Sequence, residues 1–183
     1  MLSRILPLLS PLFLAPALLA GAPAQAQTPA PTTVPAPTSA AAPVTHPVVE
    51  GKTVDGKPFS LSSQRGKVVL LMFWSTGCAV CRDKMPELRQ NYQGWAGKPF
   101  ELVLVSTDRR VQDLYAYEQI ISRTVPLKQR FVQLWAGEAG YRDNLGAPGQ
   151  LPATLLIDKT GKVVARYAGR MPAEAWDQVA ELL

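Results

Sequence analysis

Two cysteines and one histidine are the only thiol and imidazole groups in the 183 residues. Cys78 and Cys81 are too few for a four-cysteine zinc site or a framework of several disulfides. His46 is the sole histidine, and no Ser-His-Asp set can be picked out around it. No phosphate-cradling glycine loop, no paired carboxylates at catalytic spacing and no internal repeat can be picked out. Basic residues total 19 against 14 acidic ones, a net charge of +5, but they are scattered. Without a basic run, the charge argues against nucleic acid as a partner and describes a mildly basic surface.

Proline is plentiful, and its placement divides the chain. Residues 1–26 read as a secretory signal: Arg4 is a thin basic region, Ile5 to Ala20 is apolar, and Ala24-Gln25-Ala26 supplies the small residues for cleavage before Gln27. Pro7, Pro11 and Pro16 break the apolar segment, which is shorter than the roughly 20 residues of a spanning helix. Left uncleaved, it would be a membrane tether. Residues 27–47 are proline, alanine, threonine and valine with almost no charge, a composition that cannot build a core and is expected to be an extended linker. His46, at its end, reads as a solvated side chain. The domain is then residues 48–183, an ordinary single-domain length. Export to a periplasmic, oxidising compartment would leave the two thiols either cycling or permanently paired.

Within the domain, Val48-Val49-Glu50 and Lys57 to Leu61 flank Asp55-Gly56 as a β-hairpin. Val68 to Trp74 is apolar without alternation, which suits a strand covered on both faces. Cys81, Met85 and Leu88 follow Cys78 at near-helical spacing, so the cysteines open a helix that runs to about Tyr92 and contains Pro86. A second buried strand at Phe100 to Val105, a helix marked by Val111, Leu114, Glu118 and Ile121, and a strand at Phe131 to Trp135 continue a parallel β-α-β order. The loop Gly137 to Gly149 is expected to hold one short helix at Tyr141 to Leu145. Thr154 to Asp158 and Lys162 to Tyr167 form a hairpin that makes the sheet mixed, and a last helix begins near Pro172 with Trp176, Val179 and Leu183 inward.

Cys78 therefore lies where a strand hands over to a helix. Free N–H groups and the positive end of the macrodipole favour a thiolate there. The thiolate is the attacking species in disulfide exchange, so Cys78 attacks and Cys81, one turn later, resolves the mixed disulfide.

Gly66 to Leu71, Phe73-Trp74, Cys78-x-x-Cys81-Arg82, Met85-Pro86 and Leu151-Pro152-Ala153-Thr154 through Ile157-Asp158 follow one another in this order. Together they resemble the exported TlpA/ResA branch of the thioredoxin superfamily, over about residues 48–183. The resemblance implies a thioredoxin-like three-layer α/β/α sandwich with a mixed central sheet and an N-terminal β-hairpin. It also implies an enzyme, a protein thiol-disulfide oxidoreductase working in the reducing direction, as in cytochrome c maturation or related assembly. Its cofactor would be no more than the redox-active disulfide, with no metal; its partners would be substrate proteins and a membrane thiol electron donor, and it would act as a monomer. Pro152 matches the family's cis-proline opposite the redox pair, and the backbone beside Leu151 would pair with substrate. Taken by itself, Pro152 could simply begin a strand.

Two positions depart from the family pattern. Lys84 stands where members carry an acid before Met-Pro, while Asp83, about 100° round the helix, is expected to face elsewhere. Either proton transfer runs through water, or Lys84 biases the pair toward thiolate and makes the protein more oxidising. Gly77 replaces an aromatic beside the first cysteine, which widens the approach to Cys78; Trp74 is offered as a partial substitute in substrate binding, its alternative role being core. A periplasmic dithiol oxidant and a copper- or zinc-handling protein are the competing functions. Two soft ligands without a second pair make the metal reading the weaker of these.

Overall fold

The computed structural model of the protein describes residues 43–183. The expected signal peptide and the linker as far as residue 42 lie outside the described residues.

Seven consecutive apolar residues with no polar interruption become the central strand, β3 (Val68–Trp74), and all seven are buried. The two strands directly beside it are mostly apolar and largely buried. β4 (Phe100–Ser106) and then β5 (Val132–Trp135) add in parallel on one side; β7 (Ala153–Ile157) and β8 (Val163–Ala168) add antiparallel on the other. The mixed five-strand order is β5-β4-β3-β7-β8. A smaller antiparallel sheet has the order β2-β1-β6, built from the N-terminal hairpin β1 (Val49–Lys52) and β2 (Pro58–Ser60) with β6 (Arg142–Asp143).

Alternation along β3 divides the core in two. Val68, Leu70, Met72 and Trp74 point into one cluster with Cys81, Met85 and Leu88 of α1 (Ala79–Gly94), Leu114 of α2 (Val111–Thr124), and Ala175 and Val179 of α3 (Ala175–Leu182). Val69, Leu71 and Phe73 point the other way, into a cluster with Val49, Phe59 and Leu61. Each fully buried Leu or Val contributes roughly 1.5–3 kcal/mol relative to exposure, so β3 anchors both layers.

The thioredoxin-like α/β fold, the mixed sheet and the hairpin stand as expected, but the second layer differs. Among the described residues, the three α-helices lie on the face of Leu70, and the opposite face is covered by the small sheet and its loops. The expected helix at Tyr141 to Leu145 does not form; Arg142 and Asp143 pair with Glu50 and Val49 instead. Five residues bounded by glycines cannot recover the cost of nucleating an isolated helix, whereas the open edge of β1 offers ready partners.

The described end of the proline-rich segment is also tied down. Val163 N–H donates to the Thr45 carbonyl at 2.8 Å, the Arg166 guanidinium donates to the Val44 carbonyl, and the Asn144 side chain accepts from Val48 N–H at 2.8 Å. The domain thus takes in residues from Val44 onward.

Candidate functional site

Between β3 and α1 the chain turns through Ser75-Thr76-Gly77. Cys78 N–H donates to the Ser75 carbonyl at 3.1 Å, and Cys78 itself is the N-cap of α1 with extended backbone. Its Sγ accepts from Cys81 N–H at 3.1 Å. A sulfur in this position takes up one of the helix's unpaired donors, which favours a negative charge on it. The two cysteines are joined as a disulfide. Their environments are unequal: Cys78 is half-buried, whereas Cys81 is 0% exposed in the core cluster with Met85 and Met171. Only the Cys78 sulfur is within reach of an incoming group.

A residue not singled out from the sequence holds this turn in place. Asp108, just beyond β4, accepts from Thr76 N–H at 3.0 Å, from the Thr76 hydroxyl at 2.8 Å and from the Ser106 hydroxyl at 2.7 Å. Trp135 Nε1–H donates to the Asp108 carbonyl at 2.8 Å, and Thr107 N–H donates to the Trp74 carbonyl at 2.8 Å. The Arg82 guanidinium closes the turn from the other side by donating to the Thr76 carbonyl. The only sequence signal for Asp108 is a polar Ser106-Thr107-Asp108 at the carboxyl end of a parallel strand, the end at which open α/β sheets place their sites. Asp108→Ala removes a charged acceptor and leaves its donors without a partner. We expect a loss of about 1–3 kcal/mol in unfolding free energy by urea titration, with Asp108→Asn losing less.

The Leu151–Pro152 peptide bond is cis, and Gly169 N–H donates to the Pro152 carbonyl at 2.7 Å. Phe73 and Ala153 are register partners; one further step sets Pro152 beside Trp74, at the end of the sheet from which the cysteine turn departs. Leu151 is half-buried and touches both core clusters. With Phe73, Tyr141 and Pro148 it lines an open cleft of about 730 Å³. Gly77 is exposed, and a Cβ there would meet nothing within 4 Å, so the space over the turn is open.

Trp74 corrects its expected role in substrate binding. It is 0% exposed and packs edge-on against Tyr117 with ring centroids 4.9 Å apart, so it belongs to the core. The position at the end of a fully buried strand, with its side chain on the helix-covered face, decides this.

Lys84 is 5% exposed and is the only charged residue among the described buried ones. Its Nζ donates to the Met171 carbonyl at 2.9 Å and pairs with Glu87 Oε1 at 2.7 Å; Trp176 Nε1–H donates to the same carboxylate oxygen. Burial pushes the Glu87 carboxyl up, but the Lys84 and Trp176 hydrogen bonds outweigh it and hold the group below its ordinary value. Asp83 is exposed and turned toward Arg170 at 3.6 Å, facing elsewhere as its helical position requires.

A family model described as AhpC/TSA matches residues 44–168. Among known proteins, the chain is similar to the thiol-disulfide oxidoreductase ResA of Bacillus thuringiensis, 29% identical over 121 residues, or 66% of each protein. It is likewise similar to ResA of Geobacillus thermodenitrificans, 30% identical over 122 residues, again 66% of each. The chain thus spans just under two thirds of the length of these curated relatives. Among solved structures, the thioredoxin domain of a thiol-disulfide oxidoreductase from Bacteroides vulgatus is 26% identical with a TM-score of 0.57, the match covering 78% of this chain and 98% of that one. The ResA relatives agree with the resemblance carried by the sequence motifs.

Proposed function

The chain belongs to the AhpC/TSA family, and from that premise we propose that it is a thiol-disulfide oxidoreductase acting on substrate proteins through Cys78 and Cys81. One observation carries the reading: the reachable sulfur is at the helix start and the second sulfur is sealed behind it in the core. In the reducing direction, the Cys78 thiolate attacks a substrate disulfide, forming a mixed disulfide and expelling one substrate thiolate, which takes a proton. Cys81 then loses its proton and attacks the Cys78 sulfur. The Cys78–Cys81 disulfide forms, the second substrate thiol leaves, and two electrons have passed from the dithiol to the substrate.

The roles assigned around the pair follow its geometry. The cis-Leu151–Pro152 segment presents backbone for a substrate strand, Leu151 supplies an apolar contact in the adjoining cleft, and Gly77 leaves the approach to Cys78 open. We place the protein in an exported, periplasmic setting, in cytochrome c maturation or a related assembly. It works there as a monomer with no cofactor beyond its own disulfide, and a membrane dithiol donor returns it to the reduced form. The support is the motif order and the signal-like first 26 residues.

A dithiol oxidant is the second reading, favoured by the buried Lys84 one helical turn beyond Cys81. The reduction potential separates the two. A reductant is expected nearer the about −270 mV of thioredoxin; a value near the about −120 mV of a strong oxidant would decide for the second reading.

A further inference from the structure

We propose that Lys84 and Glu87 act as one unit that sets the redox equilibrium of the Cys78/Cys81 pair, Lys84 favouring the dithiol and Glu87 tempering it; this rests on the exchange reading. A lysine in a core is costly unless paired, and nothing in the fold of α1 requires one at this position. Lys84 follows Cys81 by three residues, which puts the two side chains on one helix face with Cβ atoms about 5–6 Å apart. Both are buried, and both lie against the segment carrying Met171, whose side chain packs in the cluster of Cys81 and whose carbonyl holds the ammonium. Glu87 is one turn farther from the cysteines and half open to water, so its compensation of the Lys84 charge is partial at Cys81.

The other charges near the pair are committed elsewhere. Asp108 is occupied by Thr76 and Ser106, the Arg82 guanidinium is on the Thr76 carbonyl, Asp83 faces Arg170 in solvent, and Arg89 donates to the Tyr117 hydroxyl. Lys84 is therefore the buried charge closest along α1 to the sulfur that must carry or release a proton. A disulfide carries no charge and gains nothing from an ammonium; a thiolate does. The unit thus shifts the balance of Cys78–Cys81 disulfide plus two glutathione thiols against dithiol plus glutathione disulfide, a step in which two electrons and two protons pass from glutathione to the pair.

The test equilibrates the purified full chain at pH 7 with fixed ratios of reduced and oxidised glutathione, followed by acid quenching and thiol labelling. Lys84→Met is expected to lower the equilibrium constant for reduction by about tenfold, equivalent to about 30 mV. Glu87→Gln keeps an acceptor for Lys84 and Trp176 but removes the counter-charge, and is expected to raise the constant about threefold. Lys84→Arg should restore most of the wild-type value. Opposite signs for Lys84→Met and Glu87→Gln are the signature, because loosening a merely structural bridge would move both the same way. Equal signs, or no shift in either, overturn the proposal. If Lys84→Met does not fold, Glu87→Gln alone decides by its sign. A wild-type pair that never exchanges with glutathione would instead overturn the exchange reading itself.

Discussion

Cys78→Ser is expected to abolish reduction of insulin disulfides, with turnover falling to the level of the uncatalysed thiol reaction. Serine keeps the N-cap and its hydrogen bond to Cys81 N–H, so the helix start survives while the nucleophile is lost. The remaining thiol, Cys81, is fully buried and cannot replace it. Cys81→Ala gives the complementary result. Attack still occurs, but nothing displaces the substrate from Cys78, so a mixed disulfide accumulates and is visible as a higher-mass band on a non-reducing gel that disappears with dithiothreitol. The two variants together assign the order of events. Unchanged insulin turnover in Cys78→Ser, or a stable adduct formed through Cys81 in its place, would contradict the roles given to the two sulfurs.

The largest expected stability effect is at Trp74. Replacing it with alanine is expected to cost about 3–5 kcal/mol in unfolding free energy, measured by urea denaturation monitored by circular dichroism. The side chain is fully buried, packs on Tyr117, and ends the strand on which both core clusters are built. Against a total stability of about 5–15 kcal/mol, such a loss takes up much of the margin. Because the carbonyl of Trp74 also receives Thr107 N–H and its hydroxyl, the cavity would open next to the turn that carries Cys78. A cost below about 1 kcal/mol would place Trp74 outside the packed core and return it to the substrate surface.

Where sequence and structure agree, the controlling interactions are local or are written in unbroken apolar runs. Val68 to Trp74 suits a doubly covered strand, and Cys78, a short turn beyond its end, opens the next helix. The hairpin of β1 and β2 around Asp55-Gly56 is similarly local. The second layer was not legible, because β6 exists through its partner β1, almost a hundred residues earlier, and its two residues carry no periodicity of their own. Trp74 illustrates the same limit: an aromatic next to a redox motif suits substrate or core equally until the face of the strand is known.

By itself the sequence determined two thiols one helical turn apart and the strand that leads into them, each carried by neighbouring residues and backbone geometry; what was expected of Leu151-Pro152 rested on the family resemblance. Tertiary structure alone decided which sulfur is open and which is sealed. It brought Asp108 under the cysteine turn across 32 residues and set Lys84 between Glu87 and the Met171 carbonyl. Burial and long-range hydrogen bonds depend on what the rest of the chain packs against, and no local pattern encodes that.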